Sequence, residues 1–416
     1  MSVARAQVAN VAVMPIASAP AGSSIKPPEP VLADPSEHFL LDPSIDFMNH
    51  GSFGARPIAV LEAQMRRRAE FESRPIEWLA PERRGGEKLA RARNALAPFI
   101  GAKPDDFVFV TNATGGVNAV IRSRRFEAGD ELLTTTHVYN AVRQTMKHLA
   151  GRCGATYREV DVPLPLAGDD DVVRAIEAAL TPRTRLLCID HITSPTAIIF
   201  PVRRIVELCD SRRIDVLIDG AHAPGMIPLD IESIGAAYYT GNLHKWVCAP
   251  VGSAFLWICP DKQKGIHPTT ISHFIDQGLQ TEFGWQATRD ITPWLCVEDA
   301  LTWMGRLGWD RIMQHNHQLA TWVQAMLCEK WKVRSATPLD GRMLGSMATV
   351  PLPGQDLLRK KFETFRHAST AIFERDRIEV PFIDWGGQWW ARPCCQIYNR
   401  PVQYERLAAA VLALLR

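Results

Sequence analysis

Residues 215–258 read DVLIDGAHAPGMIPLDIESIGAAYYTGNLHKWVCAPVGSAFLWI. Three short apolar runs sit inside this stretch: Asp215–Asp219, Ala236–Thr240 and Ser253–Ile258. They are too short for helices and rich in Val, Ile, Leu and aromatic residues, which suits strands buried on both faces. The connections between them carry Gly, Pro and polar residues. Similar runs recur upstream at Phe107–Thr111, Glu131–Thr136 and Thr184–Asp190. Helical patterns lie among them: Ala59–Phe71, Gly86–Phe99, Asn140–Ala150 and Val202–Ser211. Such alternation predicts an α/β fold, a mainly parallel sheet with helices on both faces. Beyond residue 295 helices dominate: Val297–Gly308, Trp309–Trp331, Asp356–Glu374 and Tyr404–Leu415. That pattern predicts a smaller α+β domain.

The 416 residues suffice for two such domains with large cores, and 46% of them are hydrophobic. Lys plus Arg number 47 and Asp plus Glu 45, a net charge of +2, which excludes an overall basic footprint for nucleic acid. No run approaches the length of a membrane-spanning helix, so no membrane partner is expected. The 9 cysteines show no CxxC and no Cys/His ligand spacing. Neither a disulfide framework nor a metal is expected, and a cytoplasmic setting with reduced thiols fits. Residues 1–36 are Ala-, Pro- and Ser-rich. Pro15 and Pro20 interrupt the weak apolar stretch, so this segment reads as a flexible arm and not as a signal peptide. The remaining chain divides into residues 37–84, contributing to the small domain, a large domain over 85–295, and the small domain proper over 296–416.

Ligands of open α/β sheets bind beyond the carboxyl ends of the strands. Four strand ends here are loaded with chemistry. Asp219 closes an apolar strand, so its carboxylate is part-buried and needs a cationic partner. Lys245, 26 residues later, follows another strand beside His244. A desolvated lysine there loses its proton and becomes an amine nucleophile. In FVTNATGGVNAV (109–120) a strand runs into Thr and Gly residues that open a helix, where free N–H groups favour phosphate. HITSPTA (191–197) is the fourth. A buried acid, a latent amine and an anion cradle are what pyridoxal phosphate requires. Taken singly, each has a plainer reading: Lys245 as a surface lysine, Asp219 as a turn cap, the histidines as core residues.

The stretch 219–256, with its Asp, Gly-Ala-His, Gly-Asn and His-Lys-Trp elements in order, resembles the class V aminotransferase family of fold-type I pyridoxal-phosphate enzymes. Within it the sequence is most similar to the isopenicillin N epimerase-like branch. The resemblance extends from FMNHGSFGARP (47–57) to CQIYN (395–399). It implies a seven-stranded, mainly parallel sheet in the large domain and a homodimer with shared active sites. It implies that Lys245 forms the Schiff base and shuttles the Cα proton. Asp219 would pair the pyridine nitrogen, and His222 would lie near the cofactor's phenolic oxygen. Thr114, with the backbone of Gly115 and Gly116, would form the phosphate cup, helped by Asn242 and His244. Thr288 would reach the phosphate across the subunit interface. His137, or else Tyr139, would cover the cofactor ring, with His137 slightly preferred. Arg392 would grip the substrate α-carboxylate, and Asn49 and His50 would face the substrate.

The pattern is departed from at Ser194, where many relatives have Asn, and at Ala197, where Gly is usual. Pro393, Cys394 and Cys395 replace the usual residues after the arginine. Trp385, Trp389 and Trp390 suggest an aromatic wall beside Arg392. The stretch ERDRIEVPFIDWGGQ (374–388) has no cysteine, so a persulfide-forming desulfurase route is not expected. The implied activity is a reaction at Cα of an amino acid, epimerase-like or β-eliminating in the manner of C–S lyases. Class V transamination, a decarboxylating or cyclising reaction, and a non-catalytic protein on the same fold are the alternatives.

Overall fold

The computed structural model describes residues 26–416 apart from 81, 82 and 84. Its centre is a seven-stranded sheet. In chain order the strands are β1 (Phe107–Val110), β2 (Glu131–Thr135), β3 (Thr156–Val160), β4 (Thr184–Asp190), β5 (Asp215–Asp219), β6 (Tyr238–Asn242) and β7 (Ala254–Ile258). Their spatial order is β1-β7-β6-β5-β4-β2-β3. All neighbours are parallel except β7, which runs antiparallel to both β1 and β6. Strands β4 to β7 are buried on both faces almost throughout, as their unbroken apolar sequences require. Hydrophobic clusters cover the two faces of the sheet, one containing Leu187, Ile218 and Trp246, the other Leu186, Leu217 and Tyr238.

Strand β3 has no counterpart among the predicted apolar runs. Its sequence, TYREV, lies at the sheet edge and is mostly half-exposed, so it carries charge in place of apolar residues. Glu159 on this strand accepts from Arg143 Nε at 2.8 Å and from Tyr157 Oη at 2.6 Å. The helix Asp169–Ala179 was also not signalled by the sequence reading. The single helix expected over Asp356–Glu374 is two, Gln355–Lys361 and Phe365–Asp376. The break falls where Thr364 turns extended and its side chain caps the His367 N–H.

A second core gathers helices Trp309–Trp331, Phe365–Asp376 and Pro401–Leu414 over a three-stranded antiparallel sheet. That sheet consists of Val350–Pro351, Gln388–Ala391 and Phe382–Trp385. The N-terminal segment divides between the two cores. Asp46–Phe47 pairs with Ile378–Glu379, and Met48 enters the second core. Helix Ile58–Ser73 instead packs on Thr292–Leu295 and Val297–Leu307. Of the predicted arm, residues 1–25 lie outside the described residues. Within the remainder Leu32 is buried, and the Ala33 carbonyl accepts from Arg400 Nη2 at 3.0 Å. No helix among the described residues is long and apolar enough to cross a membrane.

The carboxyl ends of β4, β5 and β6 lie side by side, with Asp190 opposite Asp219 and Asp219 opposite Thr240. The turn after β6 folds back on β7: the Leu243 and His244 N–H groups donate to the Ser253 carbonyl. Gly225 fixes this turn from below. It adopts φ +82°, and a Cβ there would lie 2.6 Å from the Trp246 carbonyl. Gly225→Ala should therefore cost roughly 1–3 kcal/mol. A lower denaturant midpoint at unchanged slope checks this, and an unshifted midpoint would refute the close packing.

Candidate active site

Two cavities meet at the carboxyl edge of the sheet. The inner one, about 450 Å³, is lined by Thr111, Thr114, Asp190, Asp219, His222 and Asn242, among others. The outer one, about 840 Å³, opens between the sheet and the second core. Both share Ser52, Phe53, Tyr139, Ser194 and Lys245. Lys245 thus stands at the junction, although only 9% of it is exposed.

The inner cavity is built by strand ends. Asp219 is buried, and its side chain takes one hydrogen bond, from the Ala221 N–H at 3.0 Å. Asp190, its register partner on β4, is also buried, and its Oδ1 has no partner. Burial drives both carboxyl groups above the usual range, and at Asp190 the Asp219 charge adds to it. Asp190 is pushed the further of the two, while the Lys245 charge draws Asp219 back toward the carboxylate. From the sequence alone Asp190 reads only as the end of a strand. Its signal was available: like Asp219, it is an acid closing an apolar run.

Helix Ala113–Ser123 points its N-terminus at this cavity. Thr114 lines it, but the expected contributions of Gly115 and Gly116 require correction. The Gly115 N–H is taken by Asn112 Oδ1 at 2.8 Å, and the Gly116 N–H by the Asn112 carbonyl. Neither glycine lines the cavity. Gly116 serves packing, since a Cβ there would lie 2.3 Å from Thr240 Oγ1. Asn242 accepts from the Ala113 N–H at 2.8 Å. His244 bonds the Ser253 carbonyl through Nδ1 at 3.0 Å, and burial lowers it to about 4. Nδ1 therefore carries the proton, and Nε2 is left with a lone pair.

Two further expectations fail. His137 is buried away from both cavities, with Nδ1 on Thr196 Oγ1 at 2.6 Å and Nε2 on the Val162 carbonyl at 2.7 Å. Tyr139, two residues on and 44% exposed, lines both cavities instead. His50 does not face a substrate: its Nδ1 meets Tyr398 Oη at 2.7 Å and its Nε2 the Lys245 carbonyl at 3.0 Å. It braces the lysine's backbone. Both rings satisfy both nitrogens inside the protein, which removes them from the cleft.

The outer cavity places Arg392 opposite Lys245. Arg392 is buried, and burial lowers its pKa. Its Nη1 donates to the Ser194 carbonyl and its Nη2 to Ser52 Oγ at 3.5 Å, while Nε has no partner. No carboxylate neutralises it among the described residues. Asn49 lines the same cavity and donates to Glu379 at 2.9 Å. Ser52 in turn donates to Asn49 Oδ1 at 2.5 Å. Phe365, Phe373, Phe382 and Trp385 supply apolar wall. Of the three tryptophans read as a wall, only Trp385 belongs to it; Trp389 and Trp390 are buried, and Trp390 Nε1 donates to the Trp385 carbonyl. Thr288 is exposed and lies outside both cavities of this chain.

The profile of the class V aminotransferase family matches residues 60–361. Isopenicillin N epimerase of Amycolatopsis lactamdurans is 31% identical over 401 residues, covering 92% of this chain and 98% of that protein. Putative L-cysteine desulfhydrase 1 of Oryza sativa subsp. japonica is 32% identical over 402 residues, covering 88% and 83%. Among solved structures, a cystine C–S lyase in complex with cysteine persulfide superposes with a TM-score of 0.72 at 22% identity. It covers 88% of this chain and 97% of that one, a likeness of fold.

Burial, reinforced by Arg392, holds the Lys245 amine down at about 8 from its ordinary 10.5, while Asp219 pulls the other way. Between these values the folded chain carries a neutral amine while the unfolded chain still binds a proton, so stability rises with pH across that window. Below pH 8 the fold bears the full cost of a buried ammonium. Lys245→Met should therefore stabilise the cofactor-free protein by roughly 1–3 kcal/mol below pH 8, with the gain shrinking toward pH 10.5. Guanidinium titrations at several pH values measure this. A loss of stability at pH 7 would mean that the two carboxyl groups need the lysine charge more than burial penalises it.

Proposed function

The chain belongs to the class V aminotransferase family, and from that premise we propose that it is a pyridoxal-phosphate enzyme acting at Cα of an amino-acid substrate, epimerase-like or β-eliminating in the manner of a C–S lyase. The observation that carries this reading is the convergence on one cleft of a buried lysine, a buried carboxylate and a carboxylate-free arginine.

The residues of the inner cavity fit the cofactor. Asp219 has hydrogen-bonding capacity to spare, Asp190 Oδ1 is unpartnered, and the Thr114 hydroxyl stands at a helix N-terminus. Asp219 would face the ring nitrogen, Thr114 and Asn242 the phosphate, and Tyr139 the ring, with Ser194 and His222 on the remaining rim; His244 would donate to the phosphate only on taking a proton at Nε2. Pyridoxal phosphate, when bound, supplies an electron-withdrawing ring that acidifies Cα of an amino acid joined to it.

The chain's own groups do the rest. A carboxylate at Asp219 keeps a proton on a basic nitrogen placed against it. Lys245 Nζ, a neutral amine in a large share of molecules near pH 8, would take a proton from Cα; a proton returned to the opposite face inverts the centre, and departure of a β-substituent in its place eliminates. Arg392 offers a substrate carboxylate two parallel N–H donors. The apolar wall of Phe365, Phe373 and Trp385 excludes water from the substrate side chain.

We propose further that the protein is a cytoplasmic homodimer in which Thr288 serves the partner's cleft. Its exposure outside this chain's cavities supports the first part, and nine free thiols support a reducing compartment. The near-neutral charge supports a small-molecule substrate over nucleic acid or membrane partners. Sedimentation should give twice 46.4 kDa, and a monomer at working concentration would remove the shared site.

Incubating the purified protein with candidate amino acids in D2O tests the reaction. The expected outcome is Cα deuteration with inversion, or release of a keto acid without any second amino acceptor. Stoichiometric conversion of the cofactor to its pyridoxamine form would instead identify an aminotransferase and end this reading.

A further inference from the structure

His222 sits between Lys245 and Trp246. Its Nε2 lies 3.1 Å from Lys245 Nζ, and its Nδ1 lies 3.3 Å from Trp246 Nε1. An indole N–H donates and never accepts. Nδ1 must therefore present a lone pair to it. That excludes both the imidazolium and the Nδ1–H tautomer, each of which would set two hydrogens against one another. The form that remains carries its proton on Nε2, pointing at Nζ. An ammonium has three donors and no lone pair, so only the neutral amine can receive that proton.

We infer that Trp246 is a positioning residue whose indole N–H fixes His222 in the Nε2–H form, and that His222 in that form favours the free amine of Lys245 over its ammonium. This inference rests on the reading of Lys245 as the reacting amine and deepens it.

The direction of this one hydrogen bond matters because the other groups around Lys245 oppose each other. Arg392 disfavours its protonation, whereas Asp219, Asp190 and Cys394 favour it. Burial raises the Cys394 thiol, which keeps it neutral and weak in this balance. His222 also faces Arg392, His244 and His50. Burial lowers His244 to about 4 and His50 to about 3, so neither adds charge near neutral pH. Trp246 is itself fully buried, and its ring lies 4.7 Å from that of His50, whose Nε2 meets the Lys245 carbonyl. Residues 245 and 246 are thus anchored by backbone and ring alike, and the tautomer cannot be relieved by a local shift.

The test reads the amine itself and not the reaction, so its failure is separable from failure of the proposed activity. The full-length protein, freed of bound carbonyl compounds with hydroxylamine, is labelled with trace acetic anhydride across a pH series. Modification of the Lys245 peptide is then followed by mass spectrometry. Trp246→Phe removes the N–H and leaves a smaller aromatic ring in its place. His222 is then free to turn a bare Nε2 toward the ammonium, so the Lys245 titration should move up by about one unit, a tenfold loss of reactive amine at pH 7. An unchanged titration overturns the inference, even if the variant melts earlier, because it would leave Trp246 with a packing role only. Should the variant fail to fold, the unaltered protein decides the matter. Its 15N imidazole shifts are expected to show a bare Nδ1 and a protonated Nε2 at His222, and a protonated Nδ1 overturns the inference.

Discussion

Two carboxyl groups and one amine are buried together at the carboxyl edge of the parallel sheet, and the rest of the structure is arranged to tolerate them. Ionised groups out of water are costly unless paired or neutralised. Here both remedies act. Burial pushes both carboxyl groups toward the neutral form, Asp190 the further, the Lys245 charge draws Asp219 back, and Lys245 itself is lowered. Such a set can be assembled only where several strands end together. The parallel register of β4, β5 and β6 supplies that place, bringing Asp190, Asp219 and Thr240 into line.

The second core closes this edge with a different chemistry. Arg392 enters from the strand end Gln388–Ala391 and is held by the Ser194 carbonyl rather than by an acid. A buried guanidinium left without a carboxylate is unfavourable for folding and useful for binding, since a carboxylate substrate completes it. The chain from Ser52 through Asn49 to Glu379 ties the N-terminal turn to the second core across the same cavity. The polar lining of the outer cavity and the joining of the two cores therefore share residues.

The stretch 215–258 carried most of the fold and the centre of the site. Its strands are buried on both faces, so their apolar runs are unambiguous, and Asp219 and Lys245 follow them directly. Strand β3 escaped notice because an edge strand needs no apolar face. Asp190 closes an apolar run as Asp219 does, but only the register of β4 against β5 sets the two carboxyl groups side by side.

The sequence by itself determined the alternating architecture and singled out Lys245, Asp219 and Arg392, which the fold brings to two joined cavities. Each of these residues lies within a few positions of a strand end. Only the tertiary structure decided which of the neighbouring side chains turn into the cleft. His137 is drawn out by Thr196 and Val162, and His50 by Tyr398, a residue 348 positions away. His222 is kept in, and its proton is placed, by Trp246. A histidine's neighbours in the chain do not reveal which nitrogen meets a donor. Partners that arrive from distant segments do.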